Sequence, residues 1–302
     1  YGDGIGSVDY VTHSGTDLTV VNSARVSFGV EKSELDQRDK RLIRYLIRHK
    51  HTSTLEHCGI TFRFTVPLYV RSQHHRHRTW SYNEISRRYT DVGIEFYEPK
   101  EFRTQHESNR QASNIDELIN PEMSFQNPHM THATTRTASE MVVEHHRNSL
   151  KFFDDLIAAG VCREQARGVL PQNLYTKYYG TVNLSNLLKF IDLRTHMGAQ
   201  WEIQKVAEAC LEIATDLFPE TVGAYFDRAY TAQTHDFESN NVNAHLFEKW
   251  ELVNKFKSEA TVQRYFYHIS EAIHNQVKMG VTAGLSFIDC DHISEDRALK
   301  AA

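Results

Sequence analysis

At 302 residues, with 40% hydrophobic and 24% charged side chains, the chain can build a sizeable core and lacks the apolar depletion that marks disorder. Its formal net charge of -5 excludes general coating of nucleic acid, which needs a broadly basic surface. Cys58, Cys162, Cys210 and Cys290 form no C-x-x-C pair and no disulfide scaffold, and no apolar run approaches the roughly 20 residues of a membrane span. The expected setting is a reducing, cytoplasmic compartment.

The first helical signal is DQRDKRLIRYLIRHKH (36 to 51), with Asp36 as cap and Leu42, Tyr45 and Leu46 on one face. In GITFRFTVPLYV, Ile60, Phe62, Phe64 and Val66 alternate with Gly59, Thr61, Arg63 and Thr65, the period of a half-buried strand. Pro67 ends that strand and opens a helix through PLYVRSQHHRHR, so residues 71 to 89 are expected to run from helix into loop. Residues 100 to 138 are polar and without period, and read as an insertion or long loop.

A helix follows with Val143, His146, Leu150, Phe153 and Ile157 in one stripe and Gly160 at its end. CREQARGVLPQNLY gives a short helix stopped by Pro171. Leu184, Leu187, Leu188 and Ile191 form another stripe, extended by Arg194, and Ile203, Val206, Cys210, Ile213 and Leu217 form a third before Pro219. Past residue 230, TAQTHDFESNNVNAHLF is polar and turn-rich, and Val262, Phe266, Ile269, Ile273 and Val277 recur at helical spacing. The fold class expected is α+β: a helix-dominated single domain over residues 1 to 230 with a small, mostly antiparallel sheet supplied largely by the first hundred residues. A C-terminal helical extension, 231 to 302, follows it.

Chemistry concentrates in RSQHHRHRTWSYNEISRRY (71 to 89), with five arginines, three histidines and one acid. Arginine forks bind phosphate oxygens bidentately, so Arg76, Arg78, Arg87 and Arg88, helped by Asn83 and Ser86, suit an anionic ligand. Glu84 is the one acceptor, able to orient an arginine or take a ribose hydroxyl, and Trp80 and Tyr82 offer stacking faces. The plain alternative is a solvated basic face, against which the interleaved aromatics and amide count. A metal site at His74, His75 and His77 is not expected, because the adjacent arginines repel a cation. Cys58 follows Glu56 and His57, but in an extended strand His57 points away and Cys58 shares the apolar side, as a buried structural cysteine does. No G-x-G-x-x-G run exists, which excludes the ordinary dinucleotide-binding fingerprint.

Arg76-His77-Arg78, seven further residues and Ser86 spell R-H-R-x7-S, within NEISRRY at 83 to 89. With SARVSF (23 to 28), TSTLEH (52 to 57), ARGVLPQNLYT (166 to 176), TVNLSNLLKFIDLR (181 to 194) and AQWEIQ (199 to 204), the chain resembles the flavin-dependent thymidylate synthases over residues 1 to roughly 230. The resemblance implies reductive methylation of dUMP to dTMP, with methylenetetrahydrofolate as carbon donor, NADPH reducing the flavin, and FAD held between subunits of a homotetramer. No nucleic-acid or membrane partner is expected.

By matching position, the resemblance implies dUMP contacts at Gln73, Arg76, Glu84, Ser86, Arg87, Arg88, Arg167 and Arg194. It implies FAD contacts at Ser53, Arg76, His77, Arg78, Glu84 and Asn183, and at Ser185 and Lys189, where the family usually carries Arg and His or Asn. Gly198 likewise stands where a His is frequent. Arg194 is the expected catalytic residue, stabilising the negative charge that develops on a uracil ring activated without a cysteine adduct. Its plain alternative is an ion pair with Asp192 or Glu202. Two rivals are a nucleic-acid-binding protein using residues 71 to 89 and an inactive relative. The acidic total and the scattered Arg167 and Arg194 weigh against the first, and the joint presence of Arg76, His77, Arg78, Glu84, Ser86, Arg167 and Arg194 against the second.

Overall fold

The computed structural model describes residues 1 to 110, 112 to 125 and 134 to 233. The turn-rich segment past residue 233, the helix expected at 262 to 277 and Cys290 lie outside the described residues. In chain order the elements are β1 (Ser7–Ser14), α1 (Asp17–Arg25), α2 (Gln37–Arg48), β2 (Gly59–Pro67), α3 (Leu68–His74), β3 (Ser81–Glu84), β4 (Phe102–Gln105), β5 (Ser113–Ile119), β6 (Glu122–Phe125) and β7 (Thr134–Thr137). Then come α4 (Ala138–Ala158), α5 (Arg163–Ala166), β8 (Tyr175–Asn183), α6 (Leu184–Arg194), α7 (Trp201–Leu217) and α8 (Pro219–Gln233). The chain forms two compact units, Tyr1–Glu34 with Thr52–Ile213, and Leu35–His51 with Ala214–Ala302. Helices dominate and the strand pairs are antiparallel, as the α+β reading expects. Among the described residues no helix is long and apolar enough to cross a membrane.

The first unit is built on a four-stranded sheet of order β1-β2-β8-β3. Ile60, Phe62, Phe64 and Val66 are all buried, as the alternation in β2 predicts. Each is worth about 1.5–3 kcal/mol on full burial, enough to fix register, because a one-residue slip would turn all four to water. The sequence reading missed β1 and also β8, which lies between β2 and β3 and pairs Tyr178 with Phe64 and Gly180 with Phe62. β3 was missed as well: the predicted loop after α3 returns as a strand, with Tyr82 opposite Gly180 and Glu84 opposite Tyr178. Asn183 caps α6 by accepting from the Asn186 amide at 2.9 Å, and Leu184, Leu187, Leu188, Phe190 and Ile191 are buried.

Where a loop was expected at 100 to 138, the described residues form two antiparallel ribbons, β4–β5 and β6–β7. Backbone pairing, which a polar sequence does not reveal, forms them. Thr137 and Glu140 form a capping box that starts α4. Phe153 of that helix packs with Ala166, Leu170 and Leu174, alongside Leu150 and Ile157, as its stripe predicts.

In the second unit, Asp36 caps α2 by accepting from the amides of Arg38 and Asp39, and Asp39 returns a bond to the Asp36 amide at 3.0 Å. The buried face is Ile43, Leu46 and Ile47, whereas Tyr45 is 53% exposed, so the stripe lies round the helix from the one expected. This face packs on α8, and Lys40 pairs with Glu220 at 2.5 Å. Pro219 both follows the end of α7 and supplies the first residue of α8, where its missing N–H costs nothing.

Gly180 admits the closest approach in the sheet. A Cβ there would stand 2.8 Å from Phe64 Cε2 and 3.2 Å from Trp80 Cε3. Gly180→Ala is therefore expected to destabilise the protein by about 1–3 kcal/mol through overpacking, read as a lower urea midpoint at unchanged slope; an unchanged midpoint would refute the close packing.

Candidate functional site

The R-H-R turn is held from below by aromatic packing. His74 ends α3 fully buried, its ring 4.7 Å from Phe64, 4.5 Å from Trp80 and 4.8 Å from Phe190. Its Nδ1 lies 2.8 Å from the Tyr178 hydroxyl. Burial first, then His77, His75 and Arg194, hold its pKa well below the ordinary value, so the ring is a neutral core member. Trp80 is buried in the same packing and offers no stacking face, contrary to the sequence reading, because the turn into β3 points the indole inward. Tyr82 stacks on His75 at 4.0 Å, and its hydroxyl donates to the carbonyls of His74 (3.0 Å) and His77 (3.2 Å). Those carbonyls also accept the backbone N–H groups of His77 (2.9 Å) and Trp80 (3.4 Å), so the phenol adds a side-chain tie to a turn already closed by backbone bonds.

On that support, Arg194, the last residue of α6, donates Nε–H to His77 Nε2 at 3.0 Å. Burial, then Arg194 itself, pushes the His77 pKa down to about 4. At neutral pH the imidazole is therefore uncharged, with its lone pair on Nε2 and its proton on Nδ1. Burial and then Arg76 lower the Arg194 pKa too, but a guanidinium stays cationic. Glu202 does not pair with it, since that carboxylate belongs to Arg103 at 2.7 Å. Arg194 makes no other hydrogen bond among the described residues, leaving its terminal amino groups for a ligand.

Glu84 Oε1 accepts from Thr176 Oγ1 at 2.7 Å and stands 3.3 Å from Arg71 Nε, an ion-pair distance without hydrogen-bond alignment. Gln73 donates its amide N–H to Gln200. The Ser86 hydroxyl accepts from the Arg88 amide at 3.3 Å, closing a local turn. The two basic residues after it differ. Arg87 is buried, with its fork spent on the carbonyls of Val92 (2.7 Å) and Gly93 (2.9 Å), so here it props the loop rather than facing a ligand. Arg88 pairs with Glu164 at 3.0 Å, both exposed, a contact worth only about 0–1 kcal/mol and readily exchanged for an anion.

Arg76, Arg78, Arg167 and Lys189 are exposed and make no side-chain hydrogen bond or ion pair among the described residues. Cations without carboxylates suit the phosphates of a nucleotide or dinucleotide. Ser53 is exposed on the turn Thr52–His57, and Asn183 keeps its amide N–H groups free while its oxygen caps α6. Ser185 differs: it is buried and its hydroxyl has no partner, so it stands behind any surface a cofactor could touch. Ser53, Arg167 and Lys189 are not bonded to the His77–Arg194 group. Sequence reasoning missed Arg71, Thr176, Tyr178 and Phe190 as supports; only Arg71 carried a signal, its place in the basic stretch.

Cys58 is buried, donates weakly to the Thr16 carbonyl at 3.6 Å, and has its thiol pushed up to about 11 by burial and then Asp17. Such a thiol stays protonated at neutral pH and is a poor nucleophile, as the structural reading expects.

A family model described as thymidylate synthase complementing protein matches residues 9–220. The flavin-dependent thymidylate synthase of Thermotoga neapolitana is 39% identical over 229 residues, 74% of this chain and 93% of the relative. That of Thermus thermophilus is 39% identical over 220 residues, 73% of this chain and 75% of the relative. Among solved structures, the UMP/dUMP methylase PolB from Streptomyces cacaoi bound with 5-Br UMP aligns with a TM-score of 0.60 at 30% identity, covering 74% of this chain and 94% of that one. The same methylase bound with 5-Br dUMP gives 0.59 at 31%.

The depressed His77 pKa has a stability consequence. The unfolded chain takes up a proton near 6.5, while the folded imidazole refuses it until about 4. His77 thus contributes stability that is present above pH 6.5 and lost as the pH falls to about 4. Urea midpoints measured across that window should fall more steeply in the wild type than in His77→Gln. Equal slopes would contradict the neutral, buried imidazole.

Proposed function

The chain belongs to the thymidylate synthase complementing protein family, the flavin-dependent thymidylate synthases, and on that premise we propose that the His77–Arg194 group and the cations around it form the site of dUMP and FAD. The activity is reductive methylation of dUMP to dTMP, with methylenetetrahydrofolate as carbon donor and NADPH-reduced FAD as hydride source. The observation that carries the site is Arg194: a cation bonded to a neutral imidazole rather than to a carboxylate keeps its full charge for a ligand.

The guanidinium of Arg194 faces the uracil ring and stabilises the negative charge that develops on it as C5 becomes nucleophilic. His77 holds the guanidinium by Nε, which orients its two amino groups without neutralising them. Gln73, Arg76, Glu84, Ser86, Arg88 and Arg167 hold the nucleotide: the arginines meet phosphate, and Glu84, fixed by Thr176 and Arg71, accepts from a sugar hydroxyl. Arg87 serves the same site by propping the loop that carries Ser86 and Arg88.

Ser53, Arg76, His77, Arg78, Glu84, Asn183 and Lys189 hold FAD, with Ser185 supporting the first turn of α6 beneath them. When bound, FAD supplies the hydride that completes the methyl group. The exposed, unpaired cations also fit a homotetramer with FAD at subunit interfaces, the assembly the family implies. Residues 1 to 230 are the catalytic part and 231 to 302 an appended segment, and the enzyme works with cytoplasmic folate and NADPH.

Arg194→Ala should lower dTMP formation by about 100- to 1,000-fold, the usual loss for a preorganised charge-stabilising donor, while the flavin absorbance of the purified protein is retained. Normal turnover in that variant would refute the role.

A further inference from the structure

Glu202 is about 4% exposed, yet it is a carboxylate. A buried carboxylate persists only where its oxygens are satisfied, and both of these are. Oε1 accepts from Arg103 Nη2 at 2.7 Å and Oε2 from Gln200 Nε2 at 2.8 Å. Arg103 is itself fixed: its Nε donates to Ser113 Oγ at 3.0 Å and its guanidinium lies 5.2 Å over the Trp201 ring. Both Arg103 and Ser113 belong to the β4–β5 ribbon. The phenols of Tyr1, Tyr69 and Tyr97 are raised first by burial and next by Glu202.

An ionised carboxylate can only accept hydrogen bonds. Gln200 must therefore turn its NH2 toward Glu202 and its carbonyl oxygen the other way, and that oxygen accepts from Gln73 Nε2. The Gln73 amide is thereby given one orientation of two, with its carbonyl oxygen and second N–H left for a ligand. Its orientation is set from the Arg103 end, before any substrate arrives.

We propose that Glu202 is a positioning residue that acts through Gln200 on the substrate-binding Gln73, and that the β4–β5 ribbon, through Arg103, holds Glu202 in place. The proposal rests on the reading of Gln73 as a dUMP contact. A lost relay would let Gln73 turn over, so that dUMP binding carries the cost of fixing it.

The test is dUMP affinity by calorimetry on the full-length, FAD-loaded protein, together with KM and kcat, for Gln73→Ala, Glu202→Gln and the double variant. We expect Gln73→Ala and Glu202→Gln each to weaken dUMP by about 3- to 10-fold, the worth of one hydrogen bond, with KM rising more than kcat falls and flavin content unchanged. The double variant should be no weaker than Gln73→Ala alone, because the relay has nothing left to position. Independent, multiplying effects, or wild-type affinity in Glu202→Gln, would overturn the relay while leaving Gln73 as a contact. Unchanged affinity in Gln73→Ala would overturn the contact, and the relay with it. Should Glu202→Gln fail to fold, Arg103→Ala takes its place in the cycle with the same expectation, and Arg103→Lys should restore much of the affinity.

Discussion

The hydrogen bond from Arg194 to a neutral His77 is the contact on which the site depends. A protonated imidazole could not accept that bond and would repel the guanidinium, so the ring must stay uncharged. Burial does this, with His77 edge-on to Phe190 at 4.9 Å and its pKa near 4. The aromatic packing of Phe64, His74, Trp80, Tyr178 and Phe190 is thus an electrostatic device as well as a core: it holds a base neutral so that a neighbouring cation remains uncompensated.

The basic stretch at 71 to 89 resolves into arginines with different duties. Arg71 lies against Glu84, Arg87 is consumed by two carbonyls, and Arg88 keeps a weak exposed pair. Arg76 and Arg78 remain open. In the proposed site this local excess, in a chain of net charge -5, serves ligand phosphates, because the open charges have no carboxylate partner among the described residues. The inserted ribbon adds a further cation, Arg103, whose partner Glu202 is buried.

Much of the scaffold was legible in the sequence, for reasons that differ by element. The β2 alternation and the stripes of α4, α6 and α7 were readable because one face of each buries apolar residues at the right period. β8 was not, since Tyr175, Thr176, Tyr178 and Gly180 carry little hydrophobic contrast and its order comes from pairing on both sides. The two ribbons at 100 to 138 were hidden for the same reason. For the candidate site, Arg76, His77, Glu84 and Arg194 were singled out through the family motifs, and the structure bonds His77 to Arg194. Their division of labour was not: that Arg87 is spent, that Ser185 faces inward and that Trp80 is core follow from which way each side chain points.

The measurement that tests this account most directly is the visible absorption spectrum of the purified protein, taken with FAD and then titrated with dUMP. Two ligands sharing the surface around His77 and Arg194 should perturb one another. The prediction is a bound oxidised-flavin spectrum that shifts saturably as dUMP is added. A flavin spectrum indifferent to saturating dUMP, or a protein that takes up no FAD, would contradict the shared site.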